Sequence, residues 1–471
     1  MNAQLKNSKL KIGYMPLAHD IYWKYFPQFE QPTAELGRTL REFLAQFGTI
    51  HETGELIDRV PRAGEARRLF QAQDVDIIVM ASATYSTPDD VILDLKRFPR
   101  PIVVWNTQKS PTIPPDMDFP MWMLEHGVTG VPGITNLLER ANMPYFLITG
   151  HYTQPTVRES FDTIFKAVAA FKRIWGSRLG MIGHLYPGML DFGYDPTSMY
   201  TTFGADTVPI LEGVMVTAFE EADQDEMAAL RARLEKLYSR EDTLPDEEFA
   251  RSVQTAVALK RVVQENDLDA VTMHCQSLWQ RPEIGVVPCL GMSLLMQEGT
   301  FFSCEGDVPT GLSGLILQSL SGAAFFTEIW CNDLANDQFM MGHSGIMNLG
   351  LFEDRPQDIR VVRHPWWDGC CGRGACMEVL AMPPGEGTML GLTPGSDSRW
   401  RMIVTKVQVV ERDPVPLGVP NFFVKLEKPI GEYLQDLAAL GAAHHFAMAY
   451  GDWTEHLKAL ARVLQIEYSY V

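Results

Sequence analysis

Short apolar runs separated by longer mixed segments constrain this chain more than any other feature. Residues 10–15, 75–80, 101–105 and 145–149 are such runs, and the segments between them, for example 63–71 and 133–141, have the composition of helices. A strand covered on both faces reads as a continuous apolar stretch rather than an alternation. Parallel neighbours need long crossovers, and the intervening helices supply them. Residues 10–150 therefore predict a doubly wound parallel α/β unit.

A second unit of the same kind follows. Residues 154–175 have helical spacing, with Val157, Phe161, Ile164, Phe165, Val168 and Phe171 on one face. Residues 179–183 and 268–273 read as buried strands, and 223–237 and 246–265 as helices. Pro245 followed by Asp246, Glu247 and Glu248 is a helix start. Past about residue 355 the character changes to valine, proline and glycine. Strand-like runs recur at 360–362, 388–392, 400–410 and 421–426, separated by turn signals at sandwich or barrel spacing. A helix is expected from Asp452, with Asp452 and Glu455 as a capping-box-like pair. An alternating strand at Ile466, Tyr468 and Tyr470 closes the chain. No internal repeat is visible.

A length of 471 residues suits roughly two to four domains. The net charge of −19 opposes nucleic acid and anionic membranes, and no long basic run offsets it. The first ten residues carry lysines but no apolar h-region, so no signal peptide is expected. No apolar stretch approaches the ~18 residues of a membrane span. The 7 cysteines all fall after residue 270 and are odd in number, which excludes a complete disulfide framework and favours a reducing cytoplasm.

The chemistry concentrates in the last third. Glu305 follows the apolar run Phe301-Phe302-Ser303-Cys304, Glu328 interrupts Ala323-Ala324-Phe325-Phe326-Thr327, His343 sits between Gly342 and Ser344, and His444-His445 follow Gly441-Ala442-Ala443. A carboxylate in such a run is costly to bury unless a cation or donor meets it. Two such acids and one or two such imidazoles, if they converge, match the ligand set of a divalent metal with open positions. The bland alternatives are a helix N-cap acid for Glu305, an edge strand facing water for Glu328, a satisfied core histidine for His343 and a surface loop for His444-His445. In an extended segment the two histidines point to opposite faces, so only one ligates easily. Cys370, Cys371 and Cys376 lack the Cys-x-x-Cys pairs of structural zinc sites, with His364 the nearest histidine, and read as buried thiols or a loop. The first strand runs into Pro16-Leu17-Ala18-His19-Asp20, which is no glycine-rich dinucleotide fingerprint.

At these residues the sequence resembles the L-fucose isomerase and L-arabinose isomerase superfamily. Residues 11–20 resemble its opening strand. Cys304-Glu305-Gly306-Asp307 and Phe326-Thr327-Glu328 resemble the segments carrying its two metal-binding acids. Gly342-His343-Ser344-Gly345 and Ala443-His444-His445 resemble its histidine segments. Glutamate at 328 and the histidine at 343 follow the arabinose branch, whose pattern makes His445 the ligating member of its pair. The resemblance implies two Rossmann-like doubly wound domains, 1–152 and 153–300, and a C-terminal domain, 301–471, containing an antiparallel β-barrel. It implies metal-dependent aldose–ketose isomerisation of a sugar through a metal-bound cis-enediol. Glu305, Glu328, His343 and His445 would hold the metal, with Glu305 and Glu328 as the catalytic base and acid in either order. His19, His151 and His444 are candidate substrate contacts. Mn²⁺ is the favoured ion, with Mg²⁺ or Co²⁺ as alternatives. A homo-oligomer, trimer or hexamer, is implied as well. The rivals are an epimerase or isomerase of a modified sugar, sulfonated or deoxy, on the same scaffold, and a non-catalytic sugar-binding protein.

Overall fold

The computed structural model describes residues 9–365 and 373–471. Residues 1–8, on which the signal-peptide reading rests, and Cys370 and Cys371 lie outside the described residues. The chain forms two compact units, one up to Lys172 and one from Arg173 onward.

The first unit holds β1 (Lys11–Leu17), β2 (Thr49–His51), β3 (Ile77–Ser82), β4 (Ile102–Asn106) and β5 (Tyr145–Thr149) in one sheet of order β2-β1-β3-β4-β5. All four pairings are parallel. This is a doubly wound strand order. Every residue of β3 is buried, as a strand covered on both faces requires. Phe70, Ile78, Val104 and Ile134 belong to one core cluster of this unit. Trp105 packs against the rings of Phe43 and Phe161 at 5.2 and 4.9 Å. Phe161 comes from the helix Pro155–Ile174, whose apolar face was the one read from spacing.

The second unit opens with β6 (Arg178–Ile182), β7 (Asp206–Ile210), β8 (Ser239–Arg240), β9 (Ala270–Met273) and β10 (Phe301–Cys304). Four of these form a parallel sheet of order β10-β9-β6-β7. The helices Gln224–Leu237 and Asp246–Glu265 precede β9; Asp223 caps the first by accepting from the Asp225 and Glu226 amides at 2.9 Å. After β10 the helix Val308–Ser321 is buried along most of its length. Gly314 lets it press onto β10, because a Cβ there would fall 2.1 Å from the Phe301 ring.

A strand-rich C-terminal region follows: β11 (Phe325–Asp333), β12 (Gln338–Gly342), β13 (Ile359–Arg363), β14 (Ala375–Val379), β15 (Gly385–Pro394), β16 (Trp400–Val409), β17 (Asn421–Leu426), β18 (His445–Tyr450) and β19 (Glu467–Tyr470). Seven of them make a sheet of order β15-β18-β11-β12-β17-β16-β19, and β15 pairs with β16 as well. All its pairings are antiparallel except β16 with β19. Phe325, Met341, Met389, Ile403, Phe422 and Met448 fill the core beneath it. The small sheet β14-β13-β8 lies apart from this order.

The expected capping box at Asp452 is corrected. The last helix spans Thr454–Leu464 with Trp453 at its cap, and Asp452 accepts from the Thr454 amide at 3.0 Å and its hydroxyl at 2.6 Å. The short loop back from Asp452 to Thr454 satisfies this carboxylate before Glu455 is reached. Among the described residues no helix is long and apolar enough to cross a membrane.

Candidate active site

The first acid is set by a sharp reversal. β10 ends at Cys304, and the chain must turn at once into the helix Val308–Ser321. It does so with two left-handed residues, Glu305 (φ 63°) and Gly306 (φ 81°). Gly306 is required by space as well, since a Cβ would sit 2.7 Å from Leu185 Cα. A non-glycine residue in this region costs about 1–2 kcal/mol, and such residues gather at functional sites. Glu305 is not the helix cap. That role falls to the fully buried Asp307, whose Oδ1 accepts from the Thr310 amide at 2.8 Å.

The second acid lies inside the C-terminal sheet. Glu328 on β11 pairs with Gly342 on β12 and with His445 on β18, so β11 is no edge strand. Glu328 Oε1 accepts from Trp330 Nε1 at 2.8 Å and lies 3.1 Å from His343 Nδ1. His343 follows directly on β12 and is buried. Phe326, two residues before Glu328 on the same face, sets its ring 4.6 Å from both His343 and His445.

His445 links the two acids. It is 1% exposed, its Nδ1 lies 3.0 Å from Asp307 Oδ2, and its Nε2 lies 3.2 Å from Glu305 Oε2. Phe192 stacks on its ring at 5.0 Å. His444 lies just before β18 rather than within it; it is exposed, its Nδ1 meets Asp191 Oδ2 at 2.6 Å, and its ring centroid is 4.0 Å from that of His445, so the expected opposite facing of the two histidines is not what the structure shows. Donor atoms of Glu328, His343 and His445 lie within 4.8 Å of one another, and so do those of Glu305, His444 and His445.

The charges explain one another. Burial alone would raise the Glu328 carboxyl, but His343, His445 and the Trp330 N–H outweigh it and hold it at about 2. Burial likewise works to raise Glu305, and the two imidazoles bring it below the usual carboxylate range. For His445 burial disfavours the cation; Asp307 and Glu305 reverse this and raise it to about 9. A cation is thus wanted at this point, and without a metal a proton supplies it. Two carboxylates and two imidazoles form a fitting oxygen- and nitrogen-rich donor set for a divalent ion. The Glu305 contact does not satisfy the directional needs of His445 Nε2: among the described residues this buried nitrogen has no well-formed hydrogen bond. Once its proton is displaced, that nitrogen's lone pair is what a metal would use.

His151 and Cys376 have local partners. His151 and His19 belong to the first unit. His151 is buried, with Nδ1 2.7 Å from Thr153 Oγ1 and Nε2 3.2 Å from Lys109 O. His19 follows β1, its Nδ1 3.7 Å from Asp20 Oδ1. Cys376 is a buried thiol on β14, its Sγ 3.7 Å from Gly418 O. Sequence reasoning missed Asp307, Trp330 and Phe192, which orient the acids and His445. An acid at a helix start and an aromatic in a strand give no signal of such a role.

Along most of its length the chain is related to sugar aldose–ketose isomerases. It is 23% identical over 405 residues to the sulfoquinovose isomerase of Priestia aryabhattai, covering 84% of this chain and 86% of that protein. The sulfoquinovose isomerase of Alkalicoccus urumqiensis is 23% identical over 405 residues, with 83% and 85% covered. The L-arabinose isomerase of Bifidobacterium adolescentis is 22% identical over 400 residues, with 82% and 77% covered. No family model matches the chain.

Proposed function

We propose that this protein interconverts an aldose and a ketose, with Glu305, Glu328, His343 and His445 as its reaction centre. The observation that carries this is the meeting of Glu328, His343 and His445 donor atoms within 4.8 Å, with Glu305 Oε2 against His445. Four separate segments deliver these groups, which ordinary packing does not require. These four residues would hold a divalent ion, Mn²⁺ first, with Mg²⁺ or Co²⁺ as alternatives. When bound, such an ion supplies Lewis acidity that draws charge from the substrate oxygens and acidifies the neighbouring C–H. One of the two glutamates takes the proton from C2 and returns it to C1, while the other moves the hydroxyl proton between O2 and O1 through a cis-enediol.

The sugar is a pentose or hexose, plain or modified; the sulfonated reading is supported by the sulfoquinovose isomerases among the relatives. The division 1–152, 153–300 and 301–471 is kept as the proposed domain organisation, with a trimer or hexamer as the assembly. The pairing of β16 with both β15 and β17 supports reading the C-terminal sheet as a closed barrel. The test is Glu305→Gln and Glu328→Gln, each assayed by NMR for sugar C2-proton exchange in D₂O with Mn²⁺ and with EDTA. Each substitution should lower exchange by at least about 10²-fold while the protein stays folded. Wild-type exchange rates in either variant, or exchange indifferent to EDTA, refute the assignment.

A further inference from the structure

A second polar group lies on the same edge of the second unit as Glu305 and is not used above. β6, β9 and β10 are neighbours in the parallel sheet, and the chain leaves their C-terminal ends at His184, His274 and Glu305. That edge is where parallel α/β sheets bind ligands. The Glu305 carbonyl accepts from the Tyr186 amide at 2.8 Å, which fastens the loop after β6 to the acid. His274 is 8% exposed, and its ring lies 4.8 Å from both His184 and Tyr186. Among the described residues neither of its ring nitrogens has a hydrogen-bond partner. A buried imidazole with both nitrogens unmet is costly, and native proteins seldom keep one without a use for it. Burial and the nearby His184 lower its pKa, with Glu212 and Glu305 opposing, which keeps the ring neutral. A neutral imidazole offers one donor and one acceptor. That is the complement of a hydroxyl group, whereas a sulfonate offers acceptors only.

We propose that His274 is a substrate-binding residue that grips a hydroxyl of the sugar beside Glu305, so that the site selects for a hydroxylated carbon at that point of the chain. This rests on the isomerase reading. A site that hydrogen-bonds a hydroxyl discriminates strongly against an analogue lacking it, because its own polar group is then left unpaired.

The test compares wild type, His274→Phe and His274→Asn, all loaded with Mn²⁺, on L-arabinose and sulfoquinovose. Phenylalanine keeps the ring packing, and asparagine keeps one donor and one acceptor. In the phenylalanine variant KM should rise about tenfold, with kcat less affected. Mn²⁺ affinity, read by electron paramagnetic resonance, should stay within about twofold, and asparagine should recover part of KM. An unchanged KM in the phenylalanine variant overturns the proposal, and so does a fall in Mn²⁺ affinity that parallels the loss of turnover. Wild type that binds Mn²⁺ but turns over neither sugar overturns the isomerase reading itself, and this inference with it. A crystal of wild type with Mn²⁺ and L-arabinitol decides independently of any variant. A polyol oxygen within hydrogen-bond distance of a His274 ring nitrogen supports the proposal, and a ring bonded to water alone refutes it.

Discussion

Replacing Asp307 by asparagine removes one charge and no volume, and its effect on metal binding can be worked out from the bonds it makes. The carboxylate serves two donors at once, the Thr310 amide at 2.8 Å through Oδ1 and His445 Nδ1 at 3.0 Å through Oδ2. An amide has one oxygen. If that oxygen stays on Thr310, the NH₂ group faces His445 Nδ1, and the imidazole must move its proton to Nε2. Nε2 is the nitrogen 3.2 Å from Glu305 and the one a metal would take. If the amide turns over, the helix loses its cap, at about 1 kcal/mol. Either way the charge-assisted bond that orients His445 is gone. Loss of such a carboxylate behind a metal-binding histidine lowers metal affinity by roughly 10–100-fold, or about 1.4–2.7 kcal/mol. Titration of Mn²⁺ into Asp307→Asn, followed by the resonance of the free ion, should show a weakening of this size. A circular dichroism spectrum would establish that the fold is kept. An affinity within about twofold of wild type would refute the role given to Asp307.

Three further outcomes are expected. Trp330→Phe removes the 2.8 Å bond to Glu328 Oε1 and keeps the aromatic bulk; turnover should fall by about tenfold while unfolding free energy drops by about 1 kcal/mol, measured by steady-state kinetics and urea titration. Gly306→Ala puts a Cβ 2.7 Å from Leu185 Cα at a left-handed position, so the variant should lose at least about 2 kcal/mol in the same titration. Burial first, and then the neighbouring His343, hold the His364 imidazole down at about 4, against an ordinary value of 6.5. The unfolded chain thus binds a proton that the folded one refuses. The stability tied to the neutral ring is intact above pH 6.5 and is lost as pH falls toward 4, by about 3 kcal/mol in all. His364→Gln, unfolded in urea with EDTA present, should show a flatter pH dependence between those values, and a slope equal to wild type would contradict this.

Much of the fold was legible because it depends on local pattern. The helix Asp246–Glu265 and the strand Asn421–Leu426 have the bounds read from the sequence, since Pro245 and the acidic first turn mark one and the apolar residues Phe422, Phe423, Val424 and Leu426 mark the other. The acids and histidines were legible one at a time, as polar groups in settings that penalise them. Their partners were not. That Glu328 stands opposite His445 depends on β11 pairing with β18, more than a hundred residues later, and no local signal encodes that pairing. The helix cap was sought at Glu305 and lies two residues on at Asp307, whose second bond, to His445, is a long-range fact. His274 was passed over because a histidine among Thr272, Met273 and Cys275 does not reveal from sequence whether its ring nitrogens find partners.

The placement of Glu328 between Gly342 and His445 has a consequence for how the chain matures. Side chains alternate along a strand, so a slip of β11 by a single residue would turn the carboxylate away from both histidines. An ion that binds only the correct arrangement stabilises that arrangement and no other. The cation would then act as an inspector of assembly as well as a reagent: a chain that has zipped its sheet out of step gains nothing from it, and manganese supplied during refolding would enrich the copies whose strands are aligned.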